Sequence, residues 1–220
     1  MIITIDGPAG SGKSTAARGL AKALGVAYLD TGATYRAVTL AALQRGTDLT
    51  DTIALADLAG GLDVQFVPAP EGLRVLLDGR DVSDAIRRRD VTENSHYVAR
   101  PANVRAVLVD LQRRLGADLG SFVTEGRDQG TVVFPRADLK FYLDADPTQR
   151  AARRTAEMLA RGESANLPCV LADILKRDVS DSTRETGPLC RPADAVVVDT
   201  SGKTIDETLA ALVAAVEARQ

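Results

Sequence analysis

Gly7-Pro8-Ala9-Gly10-Ser11-Gly12-Lys13-Ser14 decides the reading of this chain. The spacing is G-x-x-x-x-G-K-[ST], a P-loop, in which successive backbone N–H groups turn inward on a polyphosphate. Ile2-Ile3-Thr4-Ile5 before it is apolar and β-branched, the pattern of a buried strand. Ser14 to Leu24 after it is rich in Ala and Leu and stops at Gly25, which predicts a helix. Strand, loop and helix in that order place the loop at a helix N-terminus, whose dipole adds to the attraction for phosphate. The pattern therefore predicts binding of ATP or GTP, with Lys13 reaching the β- and γ-phosphates and the Ser14 hydroxyl on Mg²⁺. The alternative is a Gly-rich turn that merely opens a helix.

The composition sets the frame for that loop. The 220 residues are 45% hydrophobic and 26% charged, which fits one compact globular domain with appendages and not a disordered chain. The net charge of −3 lacks the footprint of a general nucleic-acid binder, although arginines cluster locally in a way that suits small anions. Cys169 and Cys190 have no metal-site spacing and read as free thiols in a reducing cytoplasm. The chain enters Ile2 directly, with no signal peptide before the first strand, and no apolar run approaches membrane-spanning length.

Along the chain, Val26 to Leu29 reads as a second strand, ending at Asp30-Thr31-Gly32. The following helical pattern carries Tyr35 and Arg36 in its first turn. In an open parallel sheet the C-terminal ends of strands form the ligand crevice, so Arg36 either faces an anion there or is a solvated helix arginine. Asp51 predicts the cap of a short helix to Ala59. Leu62 to Val82 alternates apolar and polar residues, punctuated by Pro68, Pro70, Gly72 and Gly79, and predicts two or three antiparallel strands in an inserted lobe. Arg87-Arg88-Arg89 reads as a solvated charge run. Val91 to Leu115 is helical with a break near Arg100-Pro101. Val104, Val107, Leu108 and Leu111 form its apolar face, with Arg105 and His96, the sole histidine, off it.

Ser121 to Thr124 predicts a strand from whose C-terminal end Glu125-Gly126-Arg127-Asp128 emerges: an acid pair around an arginine at the crevice, or a turn with an internal salt bridge. Gly130 to Pro135 reads as a loop or short extended piece. Leu139 to Leu143 is the next strand, and Pro147, capped by Asp146, opens a helix with Arg150, Arg153, Arg154 and Arg161. Arg150 and Arg154 are i,i+4 neighbours, either a lid that meets phosphate or a solvated face. After the polar stretch Gly162 to Pro168, a helix sets Arg177, Asp181 and Arg184 on one side, as ligands or as ion pairs. Ala195 to Val198 is the last strand and Ile205 to Val216 a closing amphipathic helix. The expected architecture is α/β, a P-loop fold with a five-stranded parallel sheet and helices on both faces. P-loop, arginine-rich crevice and arginine helix together suggest phosphoryl transfer to a small anionic acceptor.

The quoted motifs carry a resemblance over nearly the whole chain. Gly7 to Thr15, Leu29-Asp30-Thr31-Gly32-Ala33-Thr34-Tyr35-Arg36, Val104-Arg105, Glu125 to Pro135, and Arg177-Asp178 with Asp181 and Arg184 resemble the bacterial cytidylate kinases. The resemblance implies a nucleoside monophosphate kinase that moves the γ-phosphoryl of ATP to CMP or dCMP with Mg²⁺, as a cytoplasmic monomer without nucleic-acid or membrane partners. It implies one domain, with core segments 1–34, 118–149 and 170–220, a monophosphate-binding region with the β insert at about 35–117, and a lid at about 150–169. Gly7, Pro8, Ala9, Gly10, Ser11, Gly12, Lys13, Ser14 and Thr15 would bind ATP. Arg105 and Asp128 would contact the cytosine, Arg36, Arg127 and Arg184 the acceptor phosphate, and Arg177 and Asp181 the sugar. Thr31, Tyr35 and His96 would join the CMP site. Lys13, Arg127, Arg150 and Arg154 would be catalytic, the last two covering the transferring phosphoryl group from the lid. The chain departs from the family pattern at His96, where a base-contacting serine is usual, at Thr31 for serine, and at Glu125 for aspartate. Asp30 and Glu125 are the candidates for water-mediated contacts to Mg²⁺. A P-loop kinase for UMP, AMP or shikimate, or a non-catalytic nucleotide sensor, are the competing readings.

Overall fold

The computed structural model describes residues 1–69 and 72–219. Pro70, read above as punctuation of the inserted lobe, lies outside the described residues. The strands form a five-stranded parallel sheet of order β2-β6-β1-β7-β8 and a separate three-stranded antiparallel sheet of order β3-β4-β5. The chain divides into two compact units, Met1–Val26 with Val123–Gln220, and Ala27–Phe122.

In the first unit, β1 (Ile2–Asp6) is buried almost throughout, as a central parallel strand must be, and pairs with β7 (Leu139–Asp144) with Ile3 opposite Leu139 and Ile5 opposite Phe141. β7 pairs in turn with β8 (Val196–Asp199). Helix α1 (Lys13–Leu24) ends at Gly25 in the left-handed conformation, as the sequence predicts. Helix α6 (Pro147–Ala160) starts at the expected proline, with the Asp146 carboxylate accepting from the Thr148 and Gln149 amides. Helix α7 (Leu167–Thr183) begins earlier than the polar loop implied, because Asn166 caps it and Pro168 fits its first turn. Helix α8 (Ile205–Glu217) opens with a reciprocal Thr204–Glu207 capping box. Strand β6 (Phe122–Gly126) runs on through Glu125 and Gly126. Gln129–Val133 is a π-helical turn, where the sequence reads as a loop or short extended piece over Gly130 to Pro135. β-Branched propensity is weak against tertiary contacts, and here a distant carboxylate captures the first two amides of the turn.

In the second unit, β2 (Ala27–Asp30) leads into α2 (Thr31–Arg45), whose run of Ala, Thr and Val is buried from Ala37 to Ala42. Asp51 caps α3 (Thr52–Gly61) through the Ile53 and Ala54 amides. The lobe consists of β3 (Val64–Ala69), β4 (Gly72–Leu77) and β5 (Arg80–Asp81), with Asp78 and Gly79 both at positive φ (49° and 77°) in the β4–β5 hairpin turn. Pro68 lies inside β3 and does not break it, since an edge strand tolerates the missing N–H. Helices α4 (Arg89–Ala99) and α5 (Ala102–Leu119) flank the expected break at Arg100-Pro101. Arg105 corrects the sequence pattern: it is the largest fully buried side chain and sits within the packed arc of α5. That arc is wide because α5 packs against α2, α3 and α4 together. Among the described residues, no helix is long and apolar enough to cross a membrane.

Candidate active site

The phosphate loop follows from the backbone first. Gly7 has φ 151°, and a Cβ there would stand 2.0 Å from the Leu143 carbonyl oxygen, so no other residue lets the loop leave β1 so close to β7. Lys13 opens α1 and is buried, with its Nζ donating to the Pro8 carbonyl at 2.6 Å. Burial, with added repulsion from Arg127, brings its ammonium down to about 7. A buried cation held over a loop of backbone N–H groups is electrostatically incomplete until an anion arrives. The Ser14 hydroxyl, in the first turn of α1, donates to Glu125 Oε1 at 2.7 Å. The longer Glu125 thus reaches the hydroxyl directly, and the pair offers the hard oxygen donors that suit Mg²⁺. Among the described residues there is no group of three or more His, Cys, Asp or Glu arranged around a metal.

Glu125 to Asp128 carries the second layer. Arg127 Nε pairs with Asp181 Oδ2 at 2.7 Å, and Arg177 Nε stands 4.0 Å from the same oxygen. Burial disfavours charge on Arg127 and Asp181 alike, but their mutual attraction prevails, raising the pKa of Arg127 and lowering that of Asp181. Asp128 is buried, with Oδ1 3.5 Å from Arg184 Nη2. Arg184 also donates through Nε to the Gly187 carbonyl. The sequence-predicted Arg127, Asp128, Arg177, Asp181 and Arg184 thus come together in one charged network.

The two lid arginines part company. Arg154 is half-exposed beside Glu157. Arg150 turns inward, with Nε donating to the Ala145 carbonyl at 2.9 Å, Nη1 to the Ala9 carbonyl in the phosphate loop at 2.9 Å, and Nη2 pairing with Asp178 at 2.6 Å. The i,i+4 spacing puts both on one helical stripe, but only Arg150 lies close enough to the loop to reach one of its carbonyls, that of Ala9. Replacing Arg150 with Met should therefore cost about 3–5 kcal/mol, because it strands the partly buried Asp178 carboxylate and two carbonyls. Urea unfolding checks this, and an unchanged midpoint would contradict it.

The second unit holds the remaining predicted residues. Asp30 caps α2 through the Ala33 amide at 3.1 Å and pairs with Arg36 Nη2 at 2.8 Å, so both its oxygens are engaged. Arg36 Nε is buried and makes no hydrogen bond, an orphaned donor of the kind an anion satisfies. Thr31 is buried at the start of α2, and its carbonyl accepts from the Thr34 hydroxyl at 2.7 Å. The Arg105 guanidinium lies 5.6 Å from the Tyr35 ring centroid, and Nη1 donates to the Ala99 carbonyl at 3.1 Å. His96 is exposed on α4, with Nδ1 2.7 Å from the Glu93 carbonyl and its ring beside Tyr97. Because a carbonyl only accepts, Nδ1 is the donor in this contact.

Two polar residues received no role from the sequence. Asp178 is one, quoted only beside Arg177 in the family motif. Asp6 is the other, a carboxylate at the end of an apolar strand. Burial, reinforced by Asp128 and opposed by the two amides it accepts from, raises its pKa to about 6. Between pH 4 and 6 the folded chain holds more protons at Asp6 than the unfolded chain, so its contribution to stability falls as pH rises through that window.

With this geometry in place, comparison with known proteins decides the family. The cytidylate kinase family model matches residues 3–218. The chain belongs to the cytidylate kinase family. A cytidylate kinase of Exiguobacterium sibiricum is 48% identical over 210 residues, covering 96% of this chain and 94% of its own. One from Rhodococcus opacus is 48% identical over 220 residues, covering 100% and 96%. Among solved structures, a protein from Eubacterium ventriosum aligns with a TM-score of 0.55 at 14% identity over 99% of this chain and 98% of its own. One from Thermus thermophilus aligns with a TM-score of 0.52 at 21% identity, covering 99% and 96%. These two likenesses speak to the fold alone.

Proposed function

We propose that the protein transfers the γ-phosphoryl group of ATP to CMP or dCMP, giving ADP and CDP or dCDP. The single observation that carries this reading is Asp128, a buried carboxylate in the strand-end segment that also holds Arg127, in a chain of the cytidylate kinase family. A carboxylate accepts from the N4 amino group of cytosine and has no donor for O4 of uracil, while Arg105 donates to O2 or N3. Thr31, Tyr35 and His96 join the same CMP-binding set. Arg36, Arg127 and Arg184 hold the acceptor phosphate, and Arg177 and Asp181 hold the sugar. An oxygen of that phosphate attacks the γ-phosphorus as the bond to the β-phosphate oxygen breaks, so the protein supplies charge and alignment and no covalent nucleophile. Gly7 to Thr15 cradle the ATP phosphates, and Lys13 balances the charge shifting onto ADP. Ser14, with Glu125 behind it, would hold Mg²⁺, which when bound would offset part of the triphosphate charge. Arg154 meets the transferring group from the lid, about 150–169, and Arg150 acts from below through the loop. The working unit is a monomer. The substrates and the free thiols of Cys169 and Cys190 fit the cytoplasm.

The test is ADP release by the purified protein with Mg-ATP, offering CMP, dCMP, UMP, AMP, GMP and shikimate in separate assays. Turnover with CMP and dCMP far above the others is expected. A preference for UMP or a purine would overturn the base-site assignment and make His96 the first residue to exchange. Silence with every acceptor, while ATP still binds, would favour a nucleotide sensor.

A further inference from the structure

Asp6 closes β1 and is fully buried, yet the reaction proposed above gives it no part. Its Oδ1 accepts from the Gln129 amide at 2.9 Å and its Oδ2 from the Gly130 amide at 2.7 Å. One carboxylate therefore captures two successive amides of the turn that begins immediately after Asp128. Such leading amides have no partner inside their own helical turn. The turn has little other latitude. A Cβ on Gly130 would stand 2.9 Å from Thr4 Oγ1 and 3.1 Å from Pro192 Cγ, so the backbone rests close against β1. The Asp128 carbonyl accepts from the Val132 and Val133 amides, which ties its peptide into the same unit. Gly7 follows Asp6 directly, so this one side chain stands at the junction of the phosphate loop and the Arg127-Asp128 segment.

We propose that Asp6 is a positioning residue: by holding the Gln129 and Gly130 amides it fixes where Asp128 presents its carboxylate, and so sets the selectivity for the base. The inference rests on Asp128 being the base-contacting residue. Asparagine at this position keeps the shape but offers one acceptor and turns its own N–H₂ toward an amide. The turn then shifts to relieve the unmatched donor pair, and Asp128 moves with it. A loss confined to the P-loop or to general stability would slow CMP and UMP phosphorylation by the same factor.

The experiment compares the parent with Asp6→Asn, confirmed as folded by far-ultraviolet circular dichroism and a cooperative melt, using kcat/KM for CMP and for UMP at saturating Mg-ATP. The CMP-over-UMP ratio is expected to fall at least fivefold. A ratio within fivefold of the parent, whatever the loss of absolute turnover, overturns the inference. Should Asp6→Asn not fold, Asp6→Glu, which keeps two acceptors on a longer arm, is judged on the same ratio and threshold. Asp128→Asn is assayed in parallel. An unchanged ratio there would overturn the base assignment of Asp128, whereas the role of Asp6 is decided by its own ratio.

Discussion

Replacing Lys13 with Met should lower kcat by about two to three orders of magnitude while leaving the protein as stable as before or more so. The opposite signs come from one fact. Lys13 is buried, and burial with the nearby charge of Arg127 pulls its ammonium down to about 7, so the folded protein without nucleotide carries a cation its surroundings disfavour. Met fills nearly the same volume with no charge, and what is lost is the hydrogen bond to the Pro8 carbonyl and a long, weak one to Ser11 Oγ at 3.5 Å, about 1–2 kcal/mol together. The unfavourable charge becomes useful only when triphosphate oxygens lie over the loop and gain negative charge as the γ-phosphoryl group departs. A single-turnover assay and a thermal melt on the same preparation decide the matter. Near-parental turnover, or a melt lowered by many degrees together with the activity, would show that Lys13 is a structural strut and not the phosphate ligand.

The same contrast between local pattern and distant partner explains what the sequence disclosed. The P-loop was legible because its chemistry is local: Gly7, Gly12, Lys13 and Ser14 act through backbone turns and a helix start encoded within a dozen residues. Caps at Asp51 and Asp146 were legible for the same reason, since each carboxylate serves amides two and three residues on. The inserted lobe declared itself through alternation and hairpin punctuation. The π-turn at Gln129–Val133 did not, because its leading amides are held by Asp6, more than 120 residues away. Arg105 was placed off the apolar face by counting along one stripe, whereas three helices around α5 bury a wider arc. Arg150 and Arg154 look equivalent at i,i+4. Only the reach to Ala9 and Asp178 separates an anchored arginine from one in solvent. Family resemblance named most of the candidate site residues, but it gave no role to Asp6 or to Asp178, the partner of Arg150. Both act through other residues.

Changing Asp128 to Ala should reduce kcat/KM for CMP by about a thousandfold and leave ATP affinity within a few-fold of the parent. Asp128 is buried, and its carboxylate faces Arg184 at 3.5 Å, so its charge is already balanced without substrate. A base that offers an amino group can satisfy the remaining acceptor positions of that carboxylate. A base that offers a carbonyl presents acceptor to acceptor, with no water able to intervene in a closed site. Alanine removes both the attraction for cytosine and the penalty on uracil. CMP turnover should therefore fall steeply while UMP turnover changes little or rises, and the two rates should converge. The Arg184 side chain keeps its bond to the Gly187 carbonyl, which holds it in place after its carboxylate neighbour is gone. Steady-state kinetics with both acceptors, together with calorimetric ATP binding, separates the outcomes. An equal loss for CMP, UMP and ATP would mean that Asp128 supports the loop and not the base. Convergence of the two acceptor rates with intact ATP binding is the result that only a base-reading carboxylate produces.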